Sequence, residues 1–362
     1  EKIRNDFWNH SKRVFKKRQP RIQGFLDETH DRVLTDSETM VEHAYQYYSE
    51  AFKERSTPTQ SQQVSEFREH LVDRLAELPS SPFLFGIGDL HRSFCRLKTK
   101  TSSGHEKVSN KLLKSIPISH YCFLLNTFNR LLLVNTYPHH WKLSKMILLP
   151  KQKSTVLTVD QTRPISLLPC LSKVFERCFL VYLLRWMKGS GILPPEQSGF
   201  REQHSTTTRF VQFLQHFSTG LQQQTASFVI YIDFTRAFDQ LWHDALLYRL
   251  HHMNCPYELI VFIFEYLKDR KCYIEMNQAK SPIFDIEKGV PQGSCLGPIL
   301  FLLFHCELPQ RSPSATYSHL FADDLALIIH ASPWWSPSEC VSRVQRLAQK
   351  ALDQTHAYAV EW

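Results

Sequence analysis

The stretch 320–329, LFADDLALII, sets two acidic residues, Asp323 and Asp324, inside an otherwise apolar run of β-forming residues. Adjacent residues on a strand point to opposite faces, so both carboxylates converge only if the pair lies in a turn. The stretch therefore reads as two short strands, 320–322 and 325–329, joined across the acidic pair. Two carboxylates at the mouth of a hairpin offer hard oxygen donors that suit Mg²⁺. Taken alone, the same pair also reads as a plain Asx-turn, where Asp is a preferred residue.

A second apolar run, FVIYI at 228–232, ends on Asp233, with Asp239 six residues further on. Its continuous apolar character predicts a strand central in a sheet. Beside the hairpin, such a strand would bring Asp233 to Asp323 and Asp324 at one sheet end. Three carboxylates there repel unless cations sit between them. Two divalent ions about 3.5–4 Å apart would activate an attacking oxygen and stabilise a leaving one, which is phosphoryl-transfer chemistry. The competing reading of Asp233 is a helix N-cap.

Working outward, Gly289-Val290-Pro291-Gln292-Gly293-Ser294 spends two glycines on one turn, in a chain with only Gly 11 in 362 residues. Such a turn lets backbone approach a ligand, and Gln292 can hydrogen-bond a base or sugar. Lys151 follows Pro150, and Arg163 precedes Pro164 after a polar loop. Both are cations on stiff turns that could hold a triphosphate, or simply be solvated.

The rest of the chain is ordinary in composition. Hydrophobic residues at 43% and charged residues at 22% exclude a disordered chain. Lys+Arg 43 against Asp+Glu 35 gives +8, which suits a polyanionic partner or merely a basic protein. Part of that charge lies in residues 1–21. Nine cysteines without a CxxC pair argue against a disulfide framework or zinc finger and for reduced, mostly buried thiols. No apolar run approaches the roughly 18 residues of a membrane span, and the first residues do not read as a signal peptide.

Residues 1–85 read as helical, with stripes at Val41, Ala44, Tyr45, Tyr48, Phe52 and at Val64, Phe67, Leu71, Leu75. A polar linker at 56–63 and a Pro/Ser/Gly segment at 78–88 punctuate them. The stripes from Leu171 to Trp186 and through Phe210, Phe213, Leu214, Phe217 and Leu221 predict core-facing helices. Residues 141–151 read as a short strand around MILLP that Pro150 stops, 272–276 and 283–286 as paired strands, and 341–352 as a closing amphipathic helix.

Five motifs stand in a recognisable order: RPISLL at 163–168, QSGFREQHST at 197–206, FTRAFD at 234–239, GVPQGSCLGPILF at 289–301 and FADD at 321–324. Together they resemble the reverse transcriptases of non-LTR (LINE-type, jockey-like) retrotransposons, strongly over about residues 90–362. The resemblance implies an α+β right-hand polymerase: a helical connector at 1–85, mostly helical fingers at 86–225, and a palm with antiparallel sheet at 226–362. It implies RNA-directed DNA polymerase activity that adds deoxynucleotides to a primer 3′-hydroxyl. Asp233, Asp323 and Asp324 would be catalytic and bind two Mg²⁺ ions, with Mn²⁺ as a substitute. Lys151 and Arg163 would hold the incoming triphosphate and Gln292 would face the nascent pair. Phe238 would be a steric gate against the 2′-hydroxyl, its competing reading being a core aromatic. The implied partners are an RNA template, a DNA primer or RNA–DNA hybrid, and deoxynucleoside triphosphates, with no membrane. The implied location is intracellular, in the nucleus or cytoplasm.

Two departures bear on this. Gly104-His105-Glu106-Lys107 stands where relatives show Gly-Pro-Asp-Gly, which predicts a looser fingers segment. The chain also stops at Trp362, before the lysine-bearing palm segment and the thumb, which predicts a weak polymerase. The alternatives are a truncated or domesticated RNA-binding remnant and a group II intron-type reverse transcriptase.

Overall fold

A computed structural model describes residues 21–54, 61–75, 83–99, 101–222, 225, 227–313, 316–331 and 336–362. The basic segment 1–20 and most of the expected linker and boundary segments lie outside these residues.

The hairpin predicted around the acidic pair forms as β10 (Thr316–Phe321) and β11 (Asp324–His330), antiparallel with Phe321 opposite Asp324. Strand β6 (Ser227–Ile232) joins β11 antiparallel, with Ile232 opposite Leu325. The order is β10-β11-β6, so β6 is an edge strand and not central. Its apolar run misled because one face is covered while the other stays open, with Tyr231 75% exposed. Beneath the covered face lies the helix Pro337–Glu361. Its Ala351 and Tyr358 pack with Leu320, Leu325 and Leu327, and its Val344 packs with Ile329. That is the amphipathic helix expected near the end of the chain.

A second sheet has the order β5-β3-β7-β8, with β9 also on β7. It comprises β3 (Leu143–Pro150), β5 (Thr162–Leu167), β7 (Arg270–Met276), β8 (Ala279–Lys280) and β9 (Phe284–Ile286). Strands β3 and β7 run parallel, so residues from both sides of the expected 225/226 division build one sheet. The predicted pairing of 272–276 with 283–286 forms, Cys272 lying opposite Phe284.

The purely helical reading of residues 1–85 requires correction. Gly24–Asp27 and Arg32–Leu34 form an antiparallel hairpin, β1 and β2, and β1 pairs parallel with β4 (Val156–Leu157). These strands are too short for a periodic signal, and a partner some 130 residues downstream completes the sheet. The next helix, Ser37–Ala51, starts where Asp36 Oδ2 accepts the Glu38 and Thr39 backbone N–H groups at 3.1 Å. Its Met40, Ala44 and Tyr48 pack on Met146, Leu148, Cys272 and Ile274 of the second sheet. This segment is thus part of the same body as that sheet.

The largest core surrounds the long helix Cys170–Ser190, whose Val174, Phe175, Cys178, Phe179 and Leu183 are fully buried, as the stripe predicted. Phe179 stacks on Phe262 of the helix Tyr257–Leu267, ring centroids 3.6 Å apart. The helix Thr206–Gln222 behaves differently: Phe210 is 59% and Leu214 46% exposed, so its expected core stripe lines a surface cleft. The described cysteines are all free, five of nine buried. Among the described residues no helix is long and apolar enough to cross a membrane.

Candidate active site

The two-residue turn between β10 and β11 consists of Ala322 and Asp323. One register step beyond Ile232–Leu325, Asp233 falls opposite Asp324. The alternation of the sheet sends Leu320, Leu325 and Ile232 into the packed face. Asp233 and Asp324 instead border an open cleft of about 480 Å³, together with Phe210, Phe213, Tyr231 and Phe321. Burial raises the carboxyl pKa of Asp323, and repulsion from Asp324 and Asp233 raises it further. Its backbone N–H and Arg163 pull the other way. The helix that follows Asp233 is capped by Arg236, so Asp233 is not its N-cap.

The three aspartates therefore meet at one sheet end, but they are not gathered tightly. Among the described residues no group of three His, Cys, Asp or Glu side chains is close enough to hold a metal ion. The chemistry of the donor set still fits a hard divalent cation. It comprises three carboxylates, with Asp323 half-buried and destabilised in its charged form by its two neighbours, a repulsion that such an ion would remove.

The turn is held from outside. Ala322 has φ +59°, a left-handed conformation that costs a non-glycine residue about 1–2 kcal/mol. The buried Gln197 side chain grips it: Oε1 accepts from Ala322 N at 2.9 Å and Nε2 donates to Ala322 O at 3.0 Å. Gln197 Oε1 also accepts from Gly199 N at 2.7 Å. A Cβ on Gly199 would overlap the Ala322 backbone, which explains why a scarce glycine stands there. The sequence flagged the 197–206 motif without a role for Gln197. Nothing local could have supplied one, because its partner lies 125 residues away.

The loop 289–294 is pinned just as firmly. Gly289 N donates to Leu241 O at 2.7 Å and Val290 N to Phe238 O at 2.9 Å. Gly289 has φ +80°, and a Cβ there would meet the Asp239 backbone at 2.7 Å. His243, in the helix His243–His252, shares a 2.7 Å hydrogen bond with Gly289 O, and burial lowers its pKa to about 4. Gln292 O accepts from Ser166 N of β5 at 2.8 Å. Gln292 Nε2 donates to the buried Asp239 Oδ1, also at 2.8 Å. Burial pushes the Asp239 carboxyl up to about 6, against the Gln292 amide, Arg236 and Lys151.

The predicted residues thus fall into two groups. Asp233, Asp323, Asp324 and Arg163 interact at the sheet end. Gln292, with Lys151 within electrostatic reach of its partner Asp239, forms the other. Lys151 Nζ donates to Asp160 O at 2.9 Å, beside the β3–β5 hairpin. Phe238 stacks on Phe301 at 4.2 Å and meets Phe200 edge-on at 6.0 Å. It is half-buried, compatible with either reading. The loosening expected at Gly104–Lys107 is not seen. Glu106 Oε1 accepts from Cys170 N at 3.0 Å and docks the segment onto the start of the long helix.

A carboxylate hairpin beside an acid-terminated strand, faced by an open cleft and flanked by cations, is the layout of a metal-dependent phosphoryl-transfer enzyme. The profile of the family described as reverse transcriptase (RNA-dependent DNA polymerase) matches residues 149–353. The chain is similar to the probable RNA-directed DNA polymerase from transposon BS of Drosophila melanogaster, 30% identical over 79% of this chain and 31% of that protein. It is also similar to the RNA-directed DNA polymerase from mobile element jockey of the same organism, 28% identical over 81% of this chain and 33% of the relative. The chain belongs to the reverse transcriptase family, as its motifs implied. It spans about a third of the length of these curated relatives.

Proposed function

We propose that the chain forms the catalytic core of a non-LTR retrotransposon reverse transcriptase, an RNA-directed DNA polymerase. In this reading residues 86–225 are fingers, 226–362 palm, and 1–85 the segment leading into them. The observation that carries it is the register setting Asp233 opposite Asp324, with Asp323 in the adjoining turn. When bound, two Mg²⁺ ions would activate the primer 3′-hydroxyl and neutralise the triphosphate, and Mn²⁺ could substitute. Asp233, Asp323 and Asp324 would hold them.

The chain's own residues supply the rest. Arg163 and Lys151 bind the triphosphate oxygens, Arg163 acting electrostatically on Asp323 and Lys151 on Asp239. Gln292, its amide fixed by Asp239, faces the nascent base pair. Phe238 limits space at the sugar 2′ position. The cleft walled by Phe210, Phe213 and Tyr231 borders the path of the RNA template and its DNA primer, offering apolar contact that is tolerant of base identity. The net charge of +8 favours that polyanion. The setting is intracellular, in nucleus or cytoplasm.

The test is primer extension on an RNA template with Mg²⁺ and deoxynucleotides. Asp323→Asn should lower the rate at least about 100-fold while hybrid affinity stays near wild type, because ligand charge is lost and the fold is not. Extension persisting in that variant would overturn the assignment. Hybrid binding without any extension by the unsubstituted chain would favour the RNA-binding remnant.

A further inference from the structure

We infer that Gln197 is a positioning residue that sets the Ala322–Asp323 turn for metal binding. The inference rests on the polymerase reading above and assigns a role outside the carboxylates. Gln197 is 4% exposed, and its amide uses both ends on the turn, accepting from Ala322 N and donating to Ala322 O. A glutamate could accept but not donate; a leucine could do neither.

The grip extends into the backbone. Ser198 N donates to Leu320 O at 3.0 Å and Leu320 N to Glu196 O at 2.9 Å, so residues 196–198 lie along β10 like a short added strand. The segment is anchored in turn by the buried Arg209. Its Nε donates to Ser198 Oγ at 3.0 Å and its Nη2 to Pro195 O at 2.5 Å.

The turn needs such a hold because Ala322 occupies a left-handed conformation that a non-glycine residue leaves when it can. Gln197 opposes that by bonding the peptide groups on either side of Ala322. Groups that orient metal ligands from outside the coordination sphere are typically worth about 10–100-fold in metal affinity.

The experiment measures Mn²⁺ binding by electron paramagnetic resonance on the full 362-residue chain without substrate, alongside primer extension as a function of Mg²⁺ and of deoxynucleotide. Gln197→Leu should weaken Mn²⁺ binding about tenfold and raise the half-saturating Mg²⁺ similarly. The deoxynucleotide KM at saturating Mg²⁺ should stay within about twofold, since a general loss of structure would change both. Because glycine accepts positive φ, adding Ala322→Gly should recover much of the lost affinity. Unchanged Mn²⁺ affinity in Gln197→Leu, or a double variant no better than the single, overturns the inference. Should Gln197→Leu not fold, Gln197→Glu, which keeps the acceptor and loses the donor, decides by the same criterion. Mn²⁺ binding that responds as expected in a chain that extends nothing leaves the inference standing and removes the polymerase reading. Binding indifferent to Asp323→Asn removes both.

Discussion

Asp239 offers the cleanest measurable consequence of the way the 289–294 loop is held. The residue is 5% exposed, and its carboxyl lies 2.8 Å from the Gln292 amide nitrogen, with Arg236 and Lys151 within electrostatic reach. Burial outweighs these partners and lifts its pKa from 3.8 to about 6. A raised carboxyl binds its proton more tightly in the folded chain than in the unfolded one. Stability is therefore full below the unfolded pKa and is lost as pH rises from about 4 towards 6. At about 1.4 kcal/mol per unit, that window amounts to about 3 kcal/mol.

Asp239→Asn removes this ionisation yet keeps an oxygen that can accept from Gln292. The stability difference between variant and wild type should thus shift by about 3 kcal/mol in favour of the variant between pH 4 and pH 7. Urea unfolding followed by circular dichroism, at fixed ionic strength and several pH values, measures it. All other titrating groups are common to both proteins and cancel in the difference. A difference flat with pH, or one that favours wild type as pH rises, would refute the reasoning.

Two further substitutions probe the neighbouring contacts. Phe238→Ala should raise ribonucleotide relative to deoxynucleotide incorporation if the ring bounds the sugar site; an unchanged ratio of kcat/KM values would return Phe238 to its stack on Phe301. Gly289→Ala should destabilise the chain by about 1–3 kcal/mol in urea unfolding, because a Cβ at φ +80° meets the Asp239 backbone. A loss under about 0.5 kcal/mol would mean that the loop can shift without cost.

The sequence carried what depends on local period and turn chemistry. Two carboxylates between apolar β-formers marked the hairpin, although only Asp323 lies in its turn and Asp324 opens the second strand, and Leu171 to Trp186 marked one helical stripe. It did not carry what depends on neighbours. The Phe210–Phe217 stripe correctly marks a helix face, but periodicity cannot say whether anything covers that face. The run 228–232 marks a strand, not the absence of a further strand beside it. Strand β1 draws its parallel pairing from Val156 and Leu157, and Gln197 draws its meaning from a turn 125 residues away. Each of these is a long-range bond made by a segment whose own composition is neutral.

Those long-range bonds also hold the elements that carry a site made of like charges. Asp233, Asp323 and Asp324 repel, so nothing in their own interaction holds them together. The adjoining motifs are tied instead through peptide groups: Gln292 O to Ser166 N, Val290 N to Phe238 O, Gly289 N to Leu241 O, and Ala322 to the Gln197 amide. Each tie is short, between 2.7 and 3.0 Å. The carboxylates consequently stay close enough to perturb Asp323 and far enough apart not to form a closed cluster.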